Sequence, residues 1–261
     1  MEKKTTNKTT QFININGQIV PKPEGIDCTL IPGKVYTLKQ NRDYDLFLEE
    51  DKDFEFPEQY YLSDDDNKFI KKVINMYDIT KNLTLGTLLS GMKGSGKTLM
   101  AKKIAVESGL PIIVIDKSVA SDDIEGFFAK IYDDVCVIMD EIDKYWNTRY
   151  LLGFLDGVKP TCKKLVLCTC NNEKDIDEYL NDRCSRIRYK KKFTSLTKEA
   201  VLGILSDMIE DKEKAKSATE FIYSHIDIVS YDNIIIFGEE ILCSPSESYE
   251  SILSDMNIEK H

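Results

Sequence analysis

Histidine is nearly absent from this chain, with only His225 and His261 among 261 residues. The seven cysteines contain no Cys-x-x-Cys pair, so the usual zinc ligand spacings are missing too. No run approaches the roughly 20 apolar residues needed to span a bilayer. The start, Met1 to Thr10, is polar and rich in Lys and Thr, without the apolar core of a signal peptide. Positive charge is in deficit: 35 Lys and Arg against 45 Asp and Glu give a net charge of -10. That balance argues against a surface built to coat nucleic acid, although a local basic patch runs through Arg183, Arg186, Arg188 and Lys190–Lys192. No internal repeat is visible. These absences predict a cytoplasmic globular protein with no membrane segment and reduced cysteines, Cys168-Thr169-Cys170 alternating as in a strand.

What is present divides the chain into three stretches. Residues 1–57 form a polar tail followed by a β-rich segment. Asn16-Gly17 between Phe12–Ile15 and Gln18–Val20 is a hairpin signal. Short strands are also expected at Val35–Leu38 and Tyr44–Leu48, and the segment reads equally as a small β module or an extended arm. Residues 58–194 carry a different pattern. Ser63 followed by Asp64-Asp65-Asp66 is a helix start, and Phe69, Ile70, Val73, Ile74 and Tyr77 recur at helical spacing. Apolar runs at Leu85–Leu89, Ile112–Ile115, Val135–Met139, Leu165–Cys170 and Ile187–Tyr189 then alternate with helical segments. Strands buried on both faces read this way, so the fold class is α/β, a parallel sheet flanked by helices. Residues 195–261 lack that alternation; helices over Lys198–Met208, Ala215–His225 and Asp232–Ile241 predict a small α-helical lid.

Gly91-Met92-Lys93-Gly94-Ser95-Gly96-Lys97-Thr98 is a complete phosphate-binding loop of the Walker A type, placed between a strand and a helix. Its glycines let successive backbone N–H groups point into one cavity. Ser95, Gly96 and Leu99 line the same turn. Lys97 supplies charge for the β- and γ-phosphates, Thr98 a hydroxyl for Mg²⁺, and the helix Leu99–Ser108 directs its positive end at the anion. ATP and Mg²⁺ are the ligands this implies. Val135–Met139 ends in Asp140 and Glu141. At the carboxyl end of a parallel strand, Asp140 would hold the Mg²⁺ shell and Glu141 would polarise the water that attacks the γ-phosphate.

These motifs, followed by Leu165–Asn171, resemble the AAA+ ATPase family. The resemblance covers about residues 58–245 and implies a P-loop NTPase that hydrolyses ATP as a homo-oligomeric ring. A polar residue at the end of the fourth strand orients the attacking water in that family; Asn171 fits by position, with Asn172 one residue away. The stretch Ile176–Arg186 is similar to the family's helix followed by two arginines, which implies that Arg183 and Arg186 reach the neighbouring subunit's γ-phosphate. The alternative is a solvated basic face. Adenine contacts would lie near Tyr60–Leu62, Tyr61 among them. Leu151–Val158 and Asp116–Asp123 resemble the branch containing the mitochondrial translocase of the Rieske protein, here without its membrane segment. The aromatic-hydrophobic-glycine pore loop of many relatives is not found before the helix expected over Ile124–Tyr132.

The resulting expectation is an ATPase acting on an unidentified protein client. The competing expectations are a DNA-transaction motor or loader, suggested by the basic run after Arg183, and a nucleotide-gated binding module.

Overall fold

The computed structural model describes residues 12–15, 18–21, 28–56, 62–81, 83–120, 124–147, 149, 151–156, 162–176, 178–181 and 186–256. Two compact units are present, residues 1–30 and 31–261. In the first, β1 (Phe12–Ile15) and β2 (Gln18–Pro21) pair antiparallel, with Ile15 opposite Gln18. This is the hairpin expected around Asn16-Gly17, two residues that lie outside the described set.

The second unit is built on a seven-stranded sheet. Its strands are β3 (Val35–Gln40), β4 (Leu46–Glu50), β5 (Thr84–Gly91), β6 (Ile112–Ile115), β7 (Val135–Met139), β8 (Lys164–Cys170) and β9 (Ile187–Phe193). The spatial order is β4-β3-β6-β7-β8-β5-β9, parallel throughout except for the antiparallel edge strand β4. In the sequence the stretch around residues 35–50 reads equally as part of a small β module or of an extended arm. Its strands extend the main sheet, with Val35 and Leu38 buried and paired in register with Ile112 and Ile115 of β6.

Strands β5, β7 and β8 are buried along their whole lengths, as their unbroken apolar runs require. Edge strand β9 instead alternates, burying Ile187 and exposing Arg188, Lys190 and Lys192. One face of the sheet is covered by α1 (Asp64–Ile79) and α2 (Lys97–Ser108): Ile70, Val73, Met100 and Ile104 pack against Leu85, Leu89, Ile138 and Leu165. α1 starts where the sequence predicts, because Ser63 and Asp66 form a reciprocal capping box and three acidic residues fill the first turn. Lys191 of β9 reaches Asp66 at 2.7 Å and ties that helix start to the sheet edge.

Short helices α3 (Ile124–Phe128), α4 (Ile142–Tyr145), α5 (Leu151–Asp156) and α6 (Glu178–Asn181) fill the connections. Helix α3 is shorter than the Ile124–Tyr132 helix expected; Phe128 is buried against Phe154, ring centroids 5.0 Å apart. Beyond β9 come α7 (Lys198–Met208), α8 (Lys212–His225), α9 (Tyr231–Cys243) and α10 (Tyr249–Asp255). Each begins at a side-chain N-cap: Thr197, Asp211, Ser230 and Ser248. They share a core of their own around Val201, Leu205, Ile222, Phe237 and Ile252. Among the described residues no helix is long and apolar enough to cross a membrane.

The topology positions chemistry at one end of the sheet. The chain leaves β5, crosses to β6, returns through β7 to β8 beside β5, and then passes to β9 on the far side of β5. The carboxyl ends of β7, β8 and β5 are therefore neighbours, at the point where strand order reverses. In open α/β sheets, ligands bind at this crevice.

Candidate active site

The loop after β5 has the backbone that its glycines permit. Gly91, Gly94 and Gly96 have φ of 141°, 71° and 91°, conformations that side chains disfavour. Ser95 Oγ donates to Met92 O at 2.7 Å and Lys97 Nζ donates to the same oxygen at 2.5 Å. Helix α2 starts at Gly96 with no side-chain cap, leaving its first amide groups to another acceptor. Lys97 is buried, and that burial pulls its pKa below the ordinary lysine value against the attraction of nearby acidic groups, Asp140 and Glu141 among them. Leu99 is half-buried in the first turn of α2. The first turn of α9 meets this loop: the Asp232 N–H approaches Gly94 O at 3.4 Å, and a side chain at Gly94 would collide with the Asp232 carboxylate.

Asp140 and Glu141 follow β7. Thr98 Oγ1 donates to Asp140 Oδ1 at 2.8 Å, so the hydroxyl of the phosphate loop and the first carboxylate of the pair are brought together. Thr169 Oγ1 donates to the same Oδ1 at 2.6 Å and accepts the Glu141 N–H at 2.8 Å. Glu141 has φ 55° and ψ 51°, a left-handed backbone found at only one other non-glycine among the described residues, Tyr44.

Both oxygens of the Glu141 carboxylate are engaged. Lys144 Nζ donates to Oε1 at 2.6 Å, Lys117 Nζ to Oε2 at 3.0 Å, and Asn171 Nδ2 to Oε1 at 3.1 Å. These donors, Lys144 foremost, outweigh partial burial and lower the carboxyl pKa to about 2. Asn171 thus meets Glu141, whereas Asn172 turns to the residues that follow it. Its Oδ1 accepts from Lys174 N at 3.2 Å and caps the short 3-10 turn Glu173–Asp175. Asp143 Oδ2 accepts the N–H groups of Asn171 and Asn172 at 3.0 and 3.1 Å and anchors the end of β8.

Arg186 departs from expectation. The resemblance implied an arginine extended toward a neighbouring subunit. Instead its side chain is 7% exposed and forks onto Asp156 of its own chain, Nε to Oδ1 at 2.6 Å and Nη2 to Oδ2 at 2.5 Å. A bidentate partner within the chain satisfies the guanidinium and holds it away from the surface. Arg183, Tyr60 and Tyr61 lie outside the described residues.

Thr169, Asp143, Lys117 and Lys144 are the site residues that sequence reasoning missed. Thr169 sits inside a run that reads as a plain β-strand. Asp143 and Lys144, two and three residues beyond Glu141, were within reach of an argument from helical spacing. Lys117 carried no such signal.

Thr98 and Asp140 offer hard oxygen donors held side by side, which suits Mg²⁺. Among the described residues no group of three or more His, Cys, Asp or Glu is arranged to hold a metal. An ion here would depend on that hydroxyl, that carboxylate and the oxygens of a bound phosphate.

Residues 87–192 match the family described as "ATPase family associated with various cellular activities (AAA)". The matched span is less than half of the chain. It runs from β5 into β9 and contains the phosphate loop, Asp140, Glu141 and Asn171. Two curated relatives resemble the chain. One is the "Probable inactive ATP-dependent zinc metalloprotease FTSHI 4, chloroplastic" of Arabidopsis thaliana, 30% identical over 118 residues, or 35% of this chain and 14% of that protein. The other is the "ATP-dependent zinc metalloprotease FtsH 3" of Conexibacter woesei, 25% identical over 140 residues, or 43% of this chain and 19% of that protein. The chain thus spans less than a fifth of each relative's length, and what it shares with them and with the family is a likeness over this ATPase-type span.

Proposed function

We propose that this chain is a Mg²⁺-dependent ATPase working as a homo-oligomer, and that it couples ATP hydrolysis to remodelling or moving a protein substrate. The observation that carries the reading is the convergence of Lys97, Thr98, Asp140, Glu141 and Asn171 at the ends of three adjacent parallel strands. In this reading the amides of residues 94–98 and the Lys97 ammonium bind the phosphates. Thr98 and Asp140 hold Mg²⁺, which when bound neutralises phosphate charge. Glu141 accepts the proton of the attacking water, and Asn171 keeps its carboxylate turned into the site. The helices beyond residue 195 serve as a lid, whose α9 abuts the phosphate loop through Asp232.

With Arg186 paired internally, the arginine offered to a neighbour is Arg183, worth about 10³ to 10⁵ in rate for such groups. The net charge of -10 supports a protein client over nucleic acid. The likeness of Leu151–Val158 to the translocase branch supports the same class of client. The test is molecular mass with a slowly hydrolysed ATP analogue, alongside turnover of Arg183→Ala. Assembly with analogue and a steep loss of turnover are expected; a monomer whose Arg183→Ala variant turns over normally refutes the shared site.

A second reading, a nucleotide-gated binding module that hydrolyses slowly, is favoured by one observation: Lys117 and Lys144 occupy both oxygens of Glu141. Steady-state turnover of Lys144→Met decides between the two. A rise of about tenfold or more, roughly 1.4 kcal/mol of barrier, supports the gated reading, and a fall supports the ATPase reading.

A further inference from the structure

We propose that Thr169 is a positioning residue for hydrolysis: its single hydroxyl sets the backbone of Glu141 and the carboxylate of Asp140 relative to each other. The inference rests on the ATPase reading above and adds a residue that neither the motifs nor the family comparison singles out.

A threonine hydroxyl has one proton to give and lone pairs to receive with. At Thr169 both capacities are used, the proton going to Asp140 Oδ1 at 2.6 Å and a lone pair receiving the Glu141 N–H at 2.8 Å. The side chain is fully buried in β8, so water does not readily replace either bond. The N–H it receives belongs to a residue held at φ 55°, a conformation that persists in a non-glycine only where its surroundings fix it. Asp140 Oδ1 also receives the Thr98 hydroxyl at 2.8 Å. One oxygen is therefore held from the phosphate-loop side by Thr98 and from the β8 side by Thr169.

Asn171, two residues further along the chain, reaches Glu141 Oε1. The end of β8 thus grips Glu141 twice, through its backbone at Thr169 and its carboxylate at Asn171. Without the hydroxyl, the Glu141 N–H loses its partner and the turn relaxes. The carboxylate then moves away from the position in which Asn171 holds it. Binding of nucleotide, which depends on Lys97 and the loop amides, is left in place.

Burial of a threonine in this sheet does not by itself imply such a role. Thr87 of β5 is equally buried, and its hydroxyl has no hydrogen-bond partner. Thr87→Val is therefore the internal control for the same change of atoms.

The experiment measures kcat, nucleotide Kd and melting temperature for wild type, Thr169→Val, Thr169→Ser and Thr87→Val. Misplacement of a reacting group by an ångström costs on the order of 10² in rate, so Thr169→Val is expected to lower kcat about 10- to 100-fold with Kd within about threefold of wild type. Thr169→Ser, which keeps the hydroxyl, should stay within about threefold in kcat, and Thr87→Val should match wild type. Turnover of Thr169→Val within about twofold of wild type overturns the proposal, as does equal loss in the Val and Ser variants or a Kd that weakens in parallel with kcat. Wild-type protein whose turnover does not depend on Lys97 would overturn the ATPase reading itself, a result visible before any Thr169 variant is made.

Discussion

Replacing Arg186 separates a structural role from a catalytic one. Its guanidinium and the Asp156 carboxylate, 7% and 30% exposed, form a bidentate pair between the start of β9 and the end of α5. Removing one partner of a fully buried pair costs about 3–5 kcal/mol, because the other charge is left without compensation. Asp156 keeps some access to water, so about 2–3 kcal/mol is the expected loss for Arg186→Ala. At about 2–4 °C per kcal/mol for a domain of this size, the melting temperature should fall by roughly 5–10 °C. Asp156→Ala, which strands the more deeply buried guanidinium, should fall further, whereas Arg186→Met combined with Asp156→Leu should recover much of the loss, since a packed apolar pair avoids the desolvation of two charges. Thermal unfolding and phosphate release, the latter measured well below every transition, are the assays. Folded Arg186→Ala should retain turnover. An unchanged melting temperature with turnover abolished, while Asp156→Ala turns over normally, would refute it and return Arg186 to the hydrolytic machinery.

Two further predictions concern pH and helix α1. The Glu141 carboxyl is lowered from 4.5 to about 2, chiefly by Lys144, so its ionised form favours the folded state above the ordinary value and that contribution is lost as pH falls through about 2. The stability difference between wild type and Glu141→Gln should stay constant from about pH 7 to about pH 5 and shrink below it; a difference already shrinking in that upper range contradicts the assigned contacts. Ser63→Ala removes one half of the capping box of α1 and should cost about 1 kcal/mol. Denaturant midpoints that do not move would show that Asp66, with Lys191, holds the helix start alone.

The sheet and the phosphate loop are legible in the sequence because their signals are local. Unbroken apolar runs such as Val135–Met139 can be satisfied only by strands covered on both faces, and Gly91–Thr98 carries its own backbone requirement. The helical stretches beyond residue 195 are legible too, but α8 opens at the Asp211 cap, ahead of the Ala215 start expected, and α10 is not anticipated. The place of β3 is not, because its parallel partner β6 lies more than 70 residues away and a short apolar alternation fits many edges. Nor is the fate of Arg186, which shares its charge with its neighbours in sequence and is distinguished only by Asp156 across the fold. Thr169 is hidden by its own suitability as a strand former; its hydroxyl acquires meaning only when Asp140 and Glu141 arrive from another strand. That Asn171 reaches Glu141 is likewise hidden from the sequence, because Asp143 of α4 holds the amides of Asn171 and Asn172 from across the fold.

In the proposed mechanism a triphosphate bound by the Gly91–Thr98 loop is cleaved with the help of Glu141. Phosphate release from Mg–ATP by wild type, Lys97→Ala and Glu141→Gln tests it most directly. Turnover in wild type, none in either variant, and nucleotide retained by Glu141→Gln alone is the predicted pattern. Wild-type release equalled by both variants would contradict it.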